Sequence, residues 1–409
     1  MAGDPTREAA FALLGAVLRS RRTLEDALNA LPVMDARDRA AAHRLTAAVL
    51  RRAGTLDAVL EPHLRKAPPE PVRDILLLGA AGLLLLEMPP HAAVGTAVAL
   101  ARTAGLSPFS GLVNAVLRKV ATGGPAVLET LDSPRLDTPA WLWASWGADA
   151  RAIAEAHQHE APLDLTLGLD VCAPEDALRL PTGSVRYPAG THVADVPGFA
   201  DGRLWVQDAA AALPATLLAA RPGERIADLC AAPGGKTAQL ASSGARVTAI
   251  ERDSARLTRL SENLARWRLD VDLIQADATT WTSSELFDAI LLDAPCCATG
   301  TIRRHPDVPH LKRPRDIRLM NEAQDALLAN TARLLRPGGR LIYAVCSLQP
   351  EEGAPRLAAS GLRHSPFHED ELPGLPEAIT PGGFLRTTPA MWNELGGMDG
   401  FFAARLVRE

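Results

Sequence analysis

Cysteine is scarce in this chain, and the few cysteines present show no CxxC spacing. Their odd number argues against a framework of disulfide bonds, and without paired spacings they do not make a structural zinc site, so we expect no bound metal. The cysteines remain candidates for thiol chemistry in an enzyme. The cysteines are Cys172, Cys230, Cys296, Cys297 and Cys346.

The sequence also lacks a hydrophobic run long enough to cross a bilayer. The apolar run at residues 75–86 is closed by Glu87 and Pro89, and it is shorter than the roughly 20 apolar residues that a spanning helix needs. The first residues show no signal-peptide pattern. We therefore expect a cytoplasmic protein without a membrane partner, in which residues 75–86 form a buried helix.

The chain has no strong excess of positive charge. Its net charge is −5, but residues 1–135 hold 16 Lys and Arg against 13 Asp and Glu, so the first third is slightly basic and the remainder acidic. At 409 residues the chain is too long for one ordinary core, and it therefore predicts more than one domain.

Residues 1–135 show the apolar spacing of amphipathic helices, for example at Phe11, Leu14 and Leu18, and predict a compact all-helical domain. Glycine and proline at residues 122–135 predict a linker after it. Residues 136–206 predict a small mixed α/β module, whose tryptophans are interpreted as core residues or an interdomain seam, with a base-stacking platform as the alternative. These are Trp141, Trp143 and Trp146.

Residues 207–409 alternate strands with helices, which predicts a Rossmann-like domain with a mostly parallel sheet. Strands are expected at 225–227, 247–250, 271–274, 287–292 and 340–345. Two further strands near 383–387 and 400–407 lack a crossover helix between them, so we expect the sheet to end in an antiparallel pair.

The first of these strands leads into residues 228–237, DLCAAPGGKT. Adjacent glycines after a proline let the backbone approach a ligand, and the following helix offers free N–H groups. Neither a Walker loop nor a GxGxxG motif is present, and a plain glycine turn is the alternative. The loop therefore predicts a nucleoside site without a dedicated phosphate grip.

Carboxylates follow the next two strands. Glu251 is placed to accept the hydroxyls of a ribose and Asp277 to contact a base edge, with helix caps as the alternative. Because the carboxyl ends of parallel strands meet at one edge, these residues and the glycine loop form one pocket, for which S-adenosylmethionine is a better ligand than NAD or ATP.

The fourth and fifth strands end in cysteine motifs, Asp293 to Cys296 and Cys346-Ser347. Two cysteines at the ends of adjacent strands are expected side by side over the cofactor edge. A thiolate that adds to carbon 6 of cytosine makes carbon 5 nucleophilic enough to accept a methyl group. The alternative is that both are small buried hydrophobic residues.

With these motifs, the whole chain resembles the bacterial small-subunit (16S) ribosomal RNA cytosine-5 methyltransferases that carry an N-terminal NusB-like, RNA-binding domain. The matching segments are residues 207–210 (QDAA), 228–237, 293–300, 303–307 (RRHPD), 346–347 and 350–352 (PEE). In place of the family's usual serine, Cys297 follows the first motif cysteine.

The resemblance implies roles for individual residues. Cys346 is the nucleophile, Cys296 assists removal of the proton from carbon 5 and release of the enzyme, and Asp293 contacts the cytosine edge. It also implies that S-adenosylmethionine is held by Cys230, Ala231, Ala232, Pro233, Gly234, Gly235, Lys236, Glu251, Asp277 and Asp293.

Basic residues after the fourth strand are the candidates for RNA phosphate contacts, namely Arg303, Arg304, Lys312 and Arg313. Further arginines and Lys119 of the helical domain are weaker candidates, with solvated helix faces as the alternative. We expect a monomer that methylates small-subunit ribosomal RNA. A transfer RNA methyltransferase of the same chemistry and a non-catalytic ribosome assembly factor are the alternatives.

Overall fold

The computed structural model describes residues 4–168 and 171–409. Its described residues form two compact units. The first contains the residues up to His159 together with Arg304–Lys312, and the second contains those of Glu160–Arg303 and Arg313–Glu409. None of the described helices is both long and apolar enough to cross a membrane.

The first unit is all-helical, as predicted, and its helices bury leucine, valine and alanine faces in one core. Polar side chains begin several helices; the hydroxyl of Thr23, for example, accepts a hydrogen bond from the N–H of Asp26 at 3.1 Å. The helices are α1 (Pro5–Leu18), α2 (Leu24–Asn29), α3 (Ala36–Arg51), α4 (Ala53–Leu60), α5 (Glu70–Leu84), α6 (Pro90–Thr103), α7 (Ser110–Thr130), α8 (Ser133–Leu136), α9 (Ala140–Trp146) and α10 (Ala150–Ala156).

The predicted linker at residues 122–135 is wrong, because helix α7 continues to Thr130 with Pro125 inside it. Gly124 is buried, and a Cβ there would lie 3.1 Å from Leu84. Packing of this last part of α7 against the bundle therefore outweighs the weak helix propensity of glycine and proline.

The first unit also extends beyond the predicted boundary at residue 135. The carboxylate of Asp137 accepts hydrogen bonds from the N–H and hydroxyl of Thr55, both at 2.7 Å, and pairs with Arg52 at 2.9 Å. These contacts tie α8 and its following turn to α4, so residues 136–159 are part of the helical unit and not of a separate module.

Two tryptophans of this segment differ in their burial. Trp146 is buried and its ring contacts His157 edge-on. The ring of Trp143 has the guanidinium groups of Arg135 and Arg151 at 5.1 and 5.6 Å from its centre. Burial favours the interpretation as a core residue for Trp146, whereas Trp143 is half-buried beside two arginines.

The second unit begins with a small antiparallel sheet. Within the described part of residues 160–206, four strands pair in the order β2-β3-β1-β4. They are β1 (Leu163–Leu167), β2 (Leu178–Arg179), β3 (Val185–Tyr187) and β4 (Leu204–Val206). The strands predicted for this region are therefore present, whereas its helices belong to the first unit.

The large sheet of the second unit has the predicted Rossmann-like pattern. Over residues 207–409 its strands are ordered β10-β12-β9-β8-β5-β6-β7, with β11 on β12. Strands β5 to β9 are parallel, and β12 runs antiparallel to β9, β10 and β11. The elements are α11 (Ala209–Leu218), β5 (Arg225–Leu229), α12 (Gly235–Ser242), β6 (Arg246–Glu251), α13 (Ser254–Trp267), β7 (Asp272–Gln275), β8 (Phe287–Asp293), α14 (Val308–Leu311, in the first unit), α15 (Pro314–Leu334), β9 (Leu335–Val345), β10 (Arg363–His364), β11 (Leu385–Arg386) and β12 (Phe402–Val407).

Candidate active site

Side chains of α13 hold the backbone of the loop between β5 and α12. The carbonyl of Ala232 accepts a hydrogen bond from Arg256 at 2.8 Å, and that of Pro233 accepts one from Asn263 at 2.9 Å. Gly234 has φ +108°, and a Cβ there would lie 2.5 Å from Leu260. No side chain among the described residues caps α12, so its first N–H groups are left for a ligand.

The carboxylate of Glu251 ends β6 in a buried position. Its side chain is 4% exposed, and Oε1 accepts the N–H of Asp253 at 3.1 Å. Oε2 lies 3.5 Å from Arg256 and accepts no hydrogen bond from the residues that the structure describes. A buried acceptor without a donor suits the hydroxyls of a ribose.

Asp277 follows β7 and also organises its own turn. Its Oδ1 accepts the N–H and the hydroxyl of Thr279 at 2.9 and 2.7 Å. These hydrogen bonds lower the pKa of Asp277 below its usual value. Oδ1 therefore caps the turn, as the alternative interpretation expects. Oδ2 lies 3.8 Å from Arg252 and remains a candidate contact for a base edge.

These features fit the S-adenosylmethionine predicted from the sequence. The glycine loop supplies uncapped N–H groups, and Glu251 supplies a buried oxygen without a donor. Burial raises the pKa of Cys230 to about 12, so this thiol remains protonated and acts as part of the loop wall rather than as a nucleophile.

The two cysteines predicted to be neighbours do lie side by side. Cys296 follows β8, Cys346 follows the adjacent strand β9, and their sulfur atoms are 3.4 Å apart. Both side chains are partly accessible. The hydrogen bond with Cys346 is the largest cause that raises the pKa of Cys296 well above its usual value, and burial adds to it. Cys296 therefore holds its proton near neutral pH.

Lys236 joins the glycine loop to this pair. Its Nζ donates to Oδ2 of Asp293 at 2.7 Å. Burial would lower the pKa of Lys236, but the charge of Asp293 outweighs it, and the charge of Cys346 acts in the same direction, so the pKa is raised. A permanent cation therefore lies within electrostatic reach of Cys346.

A buried carboxylate behind the cysteines was not identified as functional from the sequence. Glu352 has no exposed surface, and it accepts hydrogen bonds from Ser347, from the N–H of Cys297 and from Gln324. Cys297, the thiol that departs from the family pattern, is itself buried and hydrogen-bonds to Glu352 through its side chain. In the sequence, Glu352 stood out only as part of the PEE segment at 350–352, which matches the family but for which the resemblance implied no role.

The prediction that Arg303 contacts RNA is wrong, because its side chain is 2% exposed. It pairs with Asp208 at 2.8 Å, lies 3.7 Å from Asp399, and donates to the carbonyl of Gly396. Asp208 also caps α11 and accepts the N–H of Asp399. Arg303 is thus the centre of a buried polar cluster that holds the loop after β8.

The other predicted RNA contacts have accessible side chains. Arg304 and Arg313 are exposed and Lys312 is half-buried. Arg304 and Lys312 belong to the first unit and Arg313 to the second. They remain candidates for phosphate contacts. Several basic residues of the helical domain have partners in their own unit: Arg19 pairs with Asp74, and Arg21 donates to the carbonyl of Leu311.

Two protein families match separate parts of the chain. The 16S rRNA methyltransferase RsmB/F family matches residues 215–407. The NusB family matches residues 4–122. The two matches fall on the sheet-containing and the helical parts of the fold, respectively.

Individual relatives match over most of their length. The chain is 36% identical to ribosomal RNA small subunit methyltransferase B of Sodalis glossinidius, covering 91% of this chain and 90% of that protein. It is 38% identical to the protein of the same name from Xanthomonas campestris, covering 88% of each. A solved structure, a methyltransferase homologue protein from Pyrococcus horikoshii, superposes with a TM-score of 0.54 at 26% identity, covering 66% of this chain and 94% of that one. The chain therefore belongs to the RsmB/F family of 16S rRNA methyltransferases and carries a NusB-family domain in residues 4–122.

Proposed function

We propose that this chain transfers the methyl group of S-adenosylmethionine to carbon 5 of a cytosine in small-subunit ribosomal RNA. The observation that carries the proposal is the pair of sulfur atoms of Cys296 and Cys346, 3.4 Å apart at the ends of adjacent strands. The carboxylate of Asp293 and the ammonium of Lys236 lie at the same edge. Methyl transfer to a nitrogen or oxygen atom needs no thiol, whereas carbon 5 of cytosine does.

Cys346 is the nucleophile in this proposal. Its thiolate bonds to carbon 6 of the cytosine, and the electron pair of the 5,6 double bond becomes available at carbon 5, which then bonds to the methyl group. The ammonium of Lys236 lies within electrostatic reach of this sulfur and attracts its negative charge. Bound S-adenosylmethionine supplies the electrophilic methyl group, and the loop at 230–236 with Glu251 and Asp277 would hold it.

Asp293 orients the cytosine. Its side chain is 30% exposed, and its Oδ2 is engaged by Lys236. We assign Oδ1 to the ring nitrogen or amino group of the base, where a hydrogen bond makes carbon 6 more electrophilic. The Lys236 contact keeps this carboxylate in one orientation while the base enters.

Cys296 acts after the nucleophile has bonded. In the free enzyme the hydrogen bond and charge of Cys346 raise the pKa of Cys296. When Cys346 bonds to carbon 6, its sulfur loses its negative charge and its hydrogen bond to Cys296. The pKa of Cys296 therefore falls at the step in which the proton of carbon 5 must be removed. Cys296 then loses its own proton to solvent and accepts the proton of carbon 5, and the electrons of that carbon–hydrogen bond re-form the 5,6 double bond and expel the Cys346 thiolate.

The RNA-binding part of the proposal rests on charge. Arg304, Lys312 and Arg313 have accessible side chains and would neutralise phosphates. The target cytosine must leave its stack to meet Cys346, because a thiol approaches carbon 6 from above the ring. We propose that the protein acts as a cytoplasmic monomer.

A covalent adduct tests the reaction. Full-length Cys296→Ala protein is incubated with S-adenosylmethionine and unmodified small-subunit ribosomal RNA, and a denaturing gel reveals any protein-RNA product. We expect an adduct that accumulates in Cys296→Ala and is lost when Cys346→Ala is added to it. Methyl transfer that survives in Cys346→Ala alone would mean that the nucleophile is assigned wrongly.

The same assay with transfer RNA separates the alternatives. An adduct with transfer RNA and none with ribosomal RNA would favour the transfer RNA methyltransferase. Binding of ribosomal RNA without methyl transfer would favour an assembly factor, although a binding protein needs neither of the two adjacent thiols.

A further inference from the structure

Glu352 lies directly behind both cysteines and contacts the residue next to each of them. Its Oε1 accepts the N–H of Cys297, the neighbour of Cys296, at 2.9 Å. Its Oε2 accepts the hydroxyl of Ser347, the neighbour of Cys346. One carboxylate thus connects the loop after β8 with the loop after β9.

Gln324 of α15 extends this connection to the other side of Cys296. Its Nε2 donates to Oε1 of Glu352 at 3.2 Å and to the carbonyl of Pro295 at 2.9 Å. Both backbone neighbours of Cys296 are therefore held, one by Glu352 and the other by Gln324. Gln324 and Glu352 have no exposed surface, so water does not compete for these hydrogen bonds.

The loop after β9 has a matching set of contacts. The hydroxyl of Ser347 also meets that of Thr299 at 3.1 Å, and the N–H of Gly300 donates to the carbonyl of Cys346 at 3.0 Å. The carbonyl of Glu352 accepts the hydroxyl of Tyr343 at 2.8 Å, which anchors the short helix containing Glu352 to strand β9. The carboxylate is therefore fixed relative to the sheet.

We propose that Glu352, together with Gln324, is a positioning residue that sets the distance between the sulfur atoms of Cys296 and Cys346. Glu352 touches neither substrate nor cofactor in this proposal. It acts by fixing the loop at residues 295–297 relative to the loop at residues 346–347. The thiol of Cys296 is then within reach of the cytosine after Cys346 has bonded to it. The proposal deepens the proposed function and, as far as it concerns turnover, rests on it.

A cross-linking experiment measures the distance directly and needs no RNA. Diamide accepts the two hydrogens of a pair of thiols and leaves a disulfide, and the Cys296-Cys346 product is quantified by mass spectrometry of the digested protein. We expect rapid formation in the wild type and at least a tenfold lower rate in Glu352→Ala. Glu352→Gln should restore most of the rate, because the amide oxygen still accepts from Cys297 and the amide N–H donates to Ser347.

The neighbouring Glu351 is exposed, and Glu351→Ala is the matched control with an expected wild-type rate. Should Glu352→Ala be insoluble, Gln324→Ala replaces it, with a smaller expected decrease. A wild-type rate of cross-linking in Glu352→Ala, or in Gln324→Ala when that variant takes its place, would overturn the proposal.

Turnover provides the second readout. Glu352→Ala should lower kcat about 100-fold, as expected for misplaced reacting groups, with KM for RNA and S-adenosylmethionine unchanged and with Glu352→Gln restoring most of kcat. A decrease confined to KM would contradict positioning of the thiols. If no variant, including the wild type, methylates RNA, the proposed function fails while the cross-linking result still decides the role of Glu352.

Discussion

Nζ of Lys236 lies 2.7 Å from Oδ2 of Asp293, and the lysine side chain is only 12% exposed. The lysine comes from the start of α12 and the aspartate from the end of β8, so this contact connects the cofactor loop to the edge where the cysteines lie. It brings a cation close to Cys346, whose charge in turn raises the pKa of Lys236.

Replacing Lys236 should slow the reaction at Cys346. In Lys236→Met the thiolate loses its neighbouring cation and Asp293 loses its partner, so we expect kcat to fall about 100-fold. Alkylation of Cys346 by iodoacetamide at neutral pH, followed on its own peptide, should slow about tenfold. Lys66→Met, at another exposed lysine, is the control, and an unchanged alkylation rate in Lys236→Met would contradict the electrostatic role.

Arg303 should matter for stability and not for RNA affinity. Arg303→Met leaves the buried carboxylates of Asp208 and Asp399 without their cation, and removal of one partner of a buried ion pair typically costs about 3–5 kcal/mol. We expect urea denaturation to show a decrease of that order in the free energy of unfolding of the second unit. Arg315→Met, at a side chain that is 81% exposed, should change it by less than about 1 kcal/mol. Wild-type stability combined with weaker RNA binding in Arg303→Met would restore the original prediction.

A methyl group at Gly300 should displace the catalytic loops. A Cβ at this position would lie 1.9 Å from the carbonyl oxygen of Gly400, while the N–H of Gly300 holds the carbonyl of Cys346. Gly300→Ala must move one of these segments, so kcat should fall about 100-fold. Gly123→Ala is the matched control, because a Cβ there meets no atom within 4 Å. In helix α7 it should instead stabilise the first unit by about 0.5–1 kcal/mol. Full activity in Gly300→Ala would show that the loops tolerate the shift.

Asp228 should make stability decrease with rising pH. Its carboxyl is buried, and burial raises its pKa to about 7 although Thr237 donates a hydrogen bond to it. Because the folded protein binds this proton more tightly than the unfolded chain, the stabilisation is complete below pH 4 and is lost as the pH rises through about 7. Between roughly pH 5 and pH 8 this group should lower the free energy of unfolding by about 3 kcal/mol.

Asp228→Asn checks the assignment of that pH dependence. The amide oxygen still accepts from Thr237, but the side chain no longer ionises. Urea midpoints measured across this pH range should therefore fall less in the variant than in the wild type. Equal slopes in the two proteins would mean that another group is responsible.

Much of the second unit was predictable because strand order and chemistry are local in the sequence. Strands β5, β6, β8 and β9 lie where the apolar pattern predicts them. The pairing of Cys296 with Cys346 followed from the rule that parallel strands end at one edge. The extension of α7 and the boundary of the first unit were not predictable, because they depend on contacts of Gly124 with Leu84 and of Asp137 with Thr55, which are distant in the chain.

The sequence by itself determined the alternation of strands and helices and which residues stand at the strand ends, and these place the glycine loop, the carboxylates and both cysteines at one edge. Only the tertiary structure decided what each polar side chain faces. Arg303 and Glu352 look like exposed loop residues in the sequence, yet both are buried against partners from other loops. The physical reason is that burial of a charged group requires partners, and those partners are brought together by the fold and not by proximity in the chain.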